Sequence, residues 1–190
     1  VGVAVSLIKK TFFLNLGPFK DRSEILTLQL RWFINRITLS SPMSSGLSSV
    51  PNEKKIGLSI VVGRSGTGKT ALLRKWAGRH GYSYLNIGSL VSRRMIEYSP
   101  AERSDAVQHE FRDAVESAEG DVVLCDNIEL LFAPELSLDP LRLLKQAARR
   151  KTVVAAWDGS YDGSTLSYAV PGHDEYRAYS HTDVQGVILL

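Results

Sequence analysis

The run Ile60-Val-Val-Gly-Arg-Ser-Gly-Thr-Gly-Lys-Thr-Ala-Leu-Leu73 constrains this chain more than any other part of it. Apolar residues lead straight into Gly63-x-x-x-x-Gly68-Lys69-Thr70, and a helical pattern follows. Glycines at this density suit the interior of neither strand nor helix. They let the backbone curl until successive amides point inward at anionic oxygens, and the positive end of the next helix adds to that field. Every fixed position of the P-loop pattern is filled, with the strand before it and the helix after it that the motif needs. The spacing predicts a phosphate cradle made by Gly63, Arg64, Ser65, Gly66, Thr67, Gly68, Lys69, Thr70 and Ala71. Lys69 would reach the β- and γ-phosphates, and the Thr70 hydroxyl would ligate Mg²⁺.

A second element fits the first. Val122-Val-Leu-Cys-Asp126 is an apolar run ending in an acid, the pattern of a buried strand that delivers one carboxylate to a metal at its tip. The distance along the chain from Lys69 leaves room for one intervening strand with its helices. Asp126 is therefore expected to share the Mg²⁺ with Thr70. No Asn-Lys-x-Asp segment for reading guanine occurs, nor an ABC-type signature, so ATP is the expected ligand. Hydrolysis needs a group that acts on the attacking water. In many ATPases of the AAA-like group a glutamate follows the magnesium acid directly, whereas here the order is Cys125-Asp126-Asn127-Ile128-Glu129. Asn127 can orient a water without taking its proton. Glu129 can take it if the chain turns back at the strand end, or it can be an acid favoured by a helix dipole. Slow hydrolysis, or hydrolysis only within an assembly, is the expectation, with Lys69, Asp126, Glu129 and Asn127 as candidate catalytic residues. Arg93, Arg94, Arg149, Arg150 and Lys151 are candidates for an arginine finger in a neighbouring subunit or are solvated helix-end charges. Asp158 and Ser160, after the fourth predicted strand, are candidates for sensing the γ-phosphate. Cys125 reads as core.

The pattern beyond these motifs predicts an α/β fold: a P-loop NTPase-type three-layer sandwich with a mainly parallel sheet, plus a C-terminal β-hairpin. Strands are expected at Ile56–Val62, Tyr82–Ile87, Asp121–Cys125 and Thr152–Trp157, with a last one at Val187–Leu190. Helices are expected over Gly68–Gly78, in two pieces between Gly88 and Ala118, and over Leu138–Arg150. Asp162-Gly163 looks like a two-residue hairpin turn with both positions at positive φ. The 190 residues suit one domain, with 44% hydrophobic and 23% charged residues as in ordinary globular proteins. Residues 55–190 form that domain. Residues 1–54 read as a leader and linker, Ser/Pro/Gly-rich from Ser40 to Lys55. Within it, 1–42 reads as an amphipathic partner-binding helix, a cleaved signal without the usual basic start, or an early start call with Met43 as the beginning. No apolar run reaches the roughly 18 residues of a membrane span. The single cysteine fits a reducing compartment, which makes the cytoplasm the expected location. A net charge of +3 does not by itself argue for nucleic acid, and no helix-turn-helix or zinc pattern supports DNA binding.

Four segments together, "GRSGTGKTALLRKWA", "YSYLNIGSLVSRRM", "DVVLCDNIELLF" and "DPLRLLKQAARRKTVVAAWDGSYDGSTLSYAVPGHDEY", resemble the BrxF family, small P-loop proteins of type 3 BREX phage-defence systems. The resemblance runs from about Lys55 to Tyr179, and its most discriminating parts lie outside the P-loop, in "NIELLF" and from Trp157 to Tyr179. It implies a bacterial ATP-binding protein working beside a larger P-loop ATPase, a methyltransferase and a phosphatase-like protein, by self-association or hetero-assembly. It carries over roles for Gly63, Gly66, Gly68, Lys69, Thr70 and Asp126. The aromatic residues Tyr161, Tyr168, Tyr176 and Tyr179 either stack on nucleic acid or a partner, or pack a hairpin onto the sheet. A nucleotide-dependent switch or assembly subunit is the leading reading. A small-molecule kinase, or a scaffold that binds nucleotide without hydrolysing it, are the alternatives.

Overall fold

The computed structural model describes residues 57–180 and 186–190. The readings made for residues 1–54, and the start of the first strand at Ile56, lie outside these residues.

The first strand, β1 (Leu58–Gly63), is buried along its whole length, as a run of Leu, Ile and Val with no charge must be. The glycines Gly66 and Gly68, at φ 78° and 94°, turn the chain into α1 (Lys69–His80). Gly81, left-handed at φ 68°, ends that helix and donates its N–H to the Ala77 carbonyl. Then follow β2 (Ser83–Asn86), α2 (Ile87–Glu97), α3 (Arg103–Ser117) and β3 (Val122–Asp126). Two short 3₁₀ turns, Glu129–Phe132 and Pro134–Leu136, lead to α4 (Pro140–Ala147). Asp139 caps α4 by accepting from the Arg142 amide, and Pro140 occupies its first turn. The helix is shorter than the expected 138–150 because these two residues fix its start and the chain passes into i→i+3 turns at Arg149 and Arg150. The strands β4 (Thr152–Tyr161), β5 (Thr165–Tyr168), β6 (Arg177–Ser180) and β7 (Gly186–Leu189) complete the chain.

The strand order β2-β3-β4-β1-β7 is parallel throughout, with β4 seated between the loop-bearing β1 and the acid-bearing β3. Side chains alternate across this sheet. Val61, Leu124, Val154, Ala156 and Ile188 face α1 and pack on Leu72, Leu73 and Trp76. Ile60, Val62, Val123, Cys125, Val153, Ala155 and Trp157 face the other way, against α2, α3 and α4. Three layers of P-loop NTPase type result, as expected. Among the described residues, no helix is long and apolar enough to cross a membrane.

The C-terminal hairpin is larger than expected. Strand β4 runs on to Tyr161, and β4, β5 and β6 form an antiparallel meander off the end of the parallel sheet. Its first turn is displaced by one residue. Gly163, at φ 98°, is the position in the left-handed region, and Asp162 stays outside it. The Asp162 carboxylate instead accepts from the amides of Ser164 (2.8 Å) and Thr165 (2.7 Å), so the loop centres on Gly163-Ser164. These donors hold the Asp162 carboxyl below its usual range.

Candidate functional site

Parallel register brings the expected site residues together. Gly63, where the loop leaves β1, pairs with Asp158 of β4, and Cys125 of β3 pairs with Ala155. The C-terminal tips of β1, β3 and β4 thus lie side by side within about 10 Å, two inter-strand spacings. Strand alternation decides where the acids point. Asp126 shares its parity with Leu124, and Asp158 shares its parity with Ala156, both of which face α1. Both carboxylates are therefore presented on the side where α1 begins with Lys69.

The loop itself is closely folded. A Cβ on Gly63 would meet the Thr67 hydroxyl oxygen at 2.5 Å and Leu190 Cβ at 3.2 Å, so a larger residue here would have to push the Thr67 side chain aside. That hydroxyl donates to the Arg64 carbonyl at 2.8 Å. Gly68 precedes α1 with no side-chain cap, and the first turn of the helix holds no acid. The amide end of α1 is thereby left to an anion. Lys69 is 7% exposed; its ammonium donates to the carbonyls of Gly63 (2.7 Å) and Arg64 (2.9 Å) and lies 3.8 Å from Asp158. Thr70 is half-buried beside it, while Arg64, Ser65, Thr67 and Ala71 are exposed. Asp126 is 2% exposed. A hydroxyl and a carboxylate next to an uncapped amide cradle form the hard-oxygen donor set that suits Mg²⁺ bound with a phosphate.

Asn127 and Glu129 take different places after β3. Asn127 sits at φ 54°, a left-handed conformation that asparagine tolerates better than most residues. It turns the chain against Gly88, whose added Cβ would stand 3.1 Å from the Asn127 carbonyl oxygen. Ile128 then enters the core, and Glu129 opens the 3₁₀ turn. Burial raises the Glu129 pKa above the usual carboxylate range. The charges of Asp158 and Asp126 push in the same direction, and Lys69 opposes them. Glu129 is the first-turn acid of this 3₁₀ helix. The Glu129–Phe132 turn is held from behind by aromatic packing. Phe132 stacks on Tyr168 (centroids 3.5 Å apart, 10° between planes) and meets the edge of Trp157, which in turn meets Tyr179. The Trp157 indole donates to the Ser167 carbonyl (2.9 Å), and Tyr179 donates to Asp139 (3.1 Å). Tyr168 and Tyr179 therefore pack the meander onto the domain, and Tyr161 donates to the Gly163 carbonyl.

Other expected residues fall elsewhere. The Ser160 hydroxyl lies 2.8 Å from that of Ser167 within the meander, so it does not accompany Asp158 to the loop. Arg149, Arg150 and Lys151 precede β4 and so lie at the opposite end of the sheet from this chain's own loop. Arg150 pairs with Glu116 (3.0 Å), and Lys151 donates to the Ala118 carbonyl. Arg94 is held by Glu110 (2.7 Å) and Glu97. Sequence reasoning missed Tyr84, whose hydroxyl donates to Asp126 Oδ2 at 2.7 Å, and Arg74, whose guanidinium stands 5.5 Å over the Tyr84 ring. Nothing in the local pattern marks them, because their meeting with Asp126 depends on β2 pairing with β3.

No family model matches the chain, and no curated protein matches it with significance. Among solved structures it is similar to a DNA replication initiation factor at 18% identity and a TM-score of 0.41, over 75% of this chain and 40% of that one. It is similar to AMPPCP-bound DnaA from Aquifex aeolicus at 19% identity and a TM-score of 0.40, over 74% and 40%. Its likeness to C. elegans PCH-2 has 14% identity and a TM-score of 0.42, over 87% and 41%. The chain spans about two fifths of the length of these proteins.

Proposed function

We propose that this chain binds ATP with Mg²⁺ and serves as a nucleotide-dependent switch or assembly subunit in bacterial anti-phage defence of the BREX type. One observation carries the nucleotide reading: Lys69, opening a helix with an uncapped amide end after the glycine loop, lies 3.8 Å from Asp158, and the neighbouring tip of β3 presents Asp126 on the same side of the sheet. In this reading the loop amides and Lys69 hold the triphosphate, and Thr70 and Asp126 hold the metal. Glu129 is the proton acceptor for the attacking water, and Asn127 orients that water while turning the chain. The metal would neutralise charge developing on the phosphates. The departure from an adjacent acid-glutamate pair favours slow turnover, or turnover that a partner completes. The BREX assignment, and with it a cytoplasmic setting among a larger P-loop ATPase, a methyltransferase and a phosphatase-like protein, rests on the resemblance of the four segments quoted above.

Calorimetry with ATP and Mg²⁺ tests the first part. Wild type is expected to give saturable heat, and Lys69→Ala to weaken binding by about 10- to 150-fold, the value of one charge-assisted hydrogen bond. Absence of heat from folded wild-type protein would defeat the proposal. Sizing with and without Mg-ATP tests the assembly role, and co-purification with the other defence components from the native host tests the setting.

A further inference from the structure

Asp126 is almost fully buried, yet it is the group asked to meet a hydrated cation. A buried carboxylate at a strand tip can rotate about its side-chain bonds unless something seats it. Among the described residues, Tyr84 is the donor seated on this carboxylate, at 2.7 Å from Oδ2. The contact is built by the sheet. Tyr84 pairs with Leu124 in the β2–β3 ladder, so its ring lies on the same face as Asp126, two residues further along β3. The ring is held in turn. Arg74 projects from α1 with its guanidinium 5.5 Å from the ring centroid. A cation over an aromatic face is attracted by the negative face of the ring.

We infer that Tyr84 is a positioning residue: its hydroxyl occupies Oδ2 of Asp126 so that Oδ1 is directed at the metal, and Arg74 holds the phenol in that place. The inference rests on the Mg-nucleotide reading of the site and adds a specific determinant of metal affinity to it. Groups hydrogen-bonded to metal-ligating carboxylates commonly set affinity or activity by about 10- to 100-fold. The phosphate grip should be insensitive to Tyr84, because Lys69 and the loop amides make no contact with the phenol.

The test separates these two properties. Fluorescent ATP-analogue binding is measured in EDTA and across a Mg²⁺ titration, and Mn²⁺ binding to the nucleotide-loaded protein is followed by electron paramagnetic resonance. For Tyr84→Phe, metal-free nucleotide affinity should match wild type, while half-saturation by Mg²⁺ and Mn²⁺ rises about 10- to 100-fold. Arg74→Gln, an exposed change that leaves the core untouched, should shift both metals the same way by a smaller factor. Unchanged metal half-saturation in both variants would overturn the positioning role and leave the nucleotide reading intact. Failure of wild type to bind nucleotide under either condition would overturn both together.

Discussion

Gly159 is the point at which the meander and the Glu129–Phe132 turn can be uncoupled with one methyl group. A Cβ at this position would stand 1.9 Å from the Ser167 carbonyl oxygen, 2.9 Å from its carbonyl carbon and 3.2 Å from Trp157 Cδ1. Two of these atoms are backbone in the facing strand, so relief requires β4 and β5 to separate. Separation strains the Trp157–Ser167 hydrogen bond and draws Tyr168 away from Phe132. Overpacking of this kind costs about 1–3 kcal/mol. An orphaned buried indole costs about 1–3 kcal/mol more, and a lost aromatic pair about 0.5–1.5 kcal/mol. Gly159→Ala should therefore lose about 2.5–7.5 kcal/mol, a large share of the roughly 5–15 kcal/mol that holds a domain together. For a chain of this size that is a fall in melting temperature of at least about 5 °C. Melting by circular dichroism, tryptophan emission and Mg-ATP turnover read the outcome together. The prediction is that loop binding of nucleotide survives at low temperature while turnover falls, because Glu129 stands three residues before Phe132 and loses its backing. A variant melting within about 1 °C of wild type with full turnover would refute the coupling. Ser160→Ala, on the exposed side of the same strand pair, is the control and should change little.

Replacing Glu129 with Gln should lower turnover by about 10²–10⁴-fold while ATP affinity stays near wild type, as single-turnover and binding measurements would reveal. Since the folded protein raises this pKa, the stability it contributes is present at acid pH and lost as pH rises through the raised value. The ionised side chain then weakens the fold near neutrality, and Glu129→Gln should melt higher than wild type at pH 7.5. The same direction places the acid limb of the wild-type pH–rate profile above the ordinary glutamate value of about 4.3, and a limb at or below that value would remove Glu129 from the general-base role. Cys125 is buried, and its thiol pKa is pushed up to about 12. Iodoacetamide at pH 8 should leave it unmodified in folded protein and label it fully in guanidinium, by mass spectrometry. The stability tied to that proton is present below about pH 8.5 and is lost as pH rises toward the folded value.

Much of this molecule was legible from local pattern. The glycine loop is a backbone requirement written in residue types, and an apolar run ending in Asp126 is a strand tip on any fold of this class. The alternation of elements between Leu58 and Thr152 followed from periodicity, since burial of both sheet faces leaves runs such as Ile60–Val62 and Val153–Ala156. Other features were legible only as alternatives. Glu129 had two readings because a 3₁₀ turn after a left-handed asparagine has no periodic signature. Ser160 carried a candidate sensing role until the fold placed it in a hairpin bond, and Arg150, read as a finger for a neighbouring subunit, lies at the far end of the sheet from this chain's own loop.

The sequence alone determined that this chain can cradle phosphates, because amide geometry at Gly63, Gly66 and Gly68 depends on backbone freedom within a few residues. Only the tertiary structure decided which charges meet there. Strand order put β4 between β1 and β3, and strand parity turned Asp126 and Asp158 toward Lys69. The pairing of β2 with β3 placed Tyr84 on the buried acid. Those choices join residues tens of positions apart through the register of neighbouring strands, and no short-range pattern encodes that register.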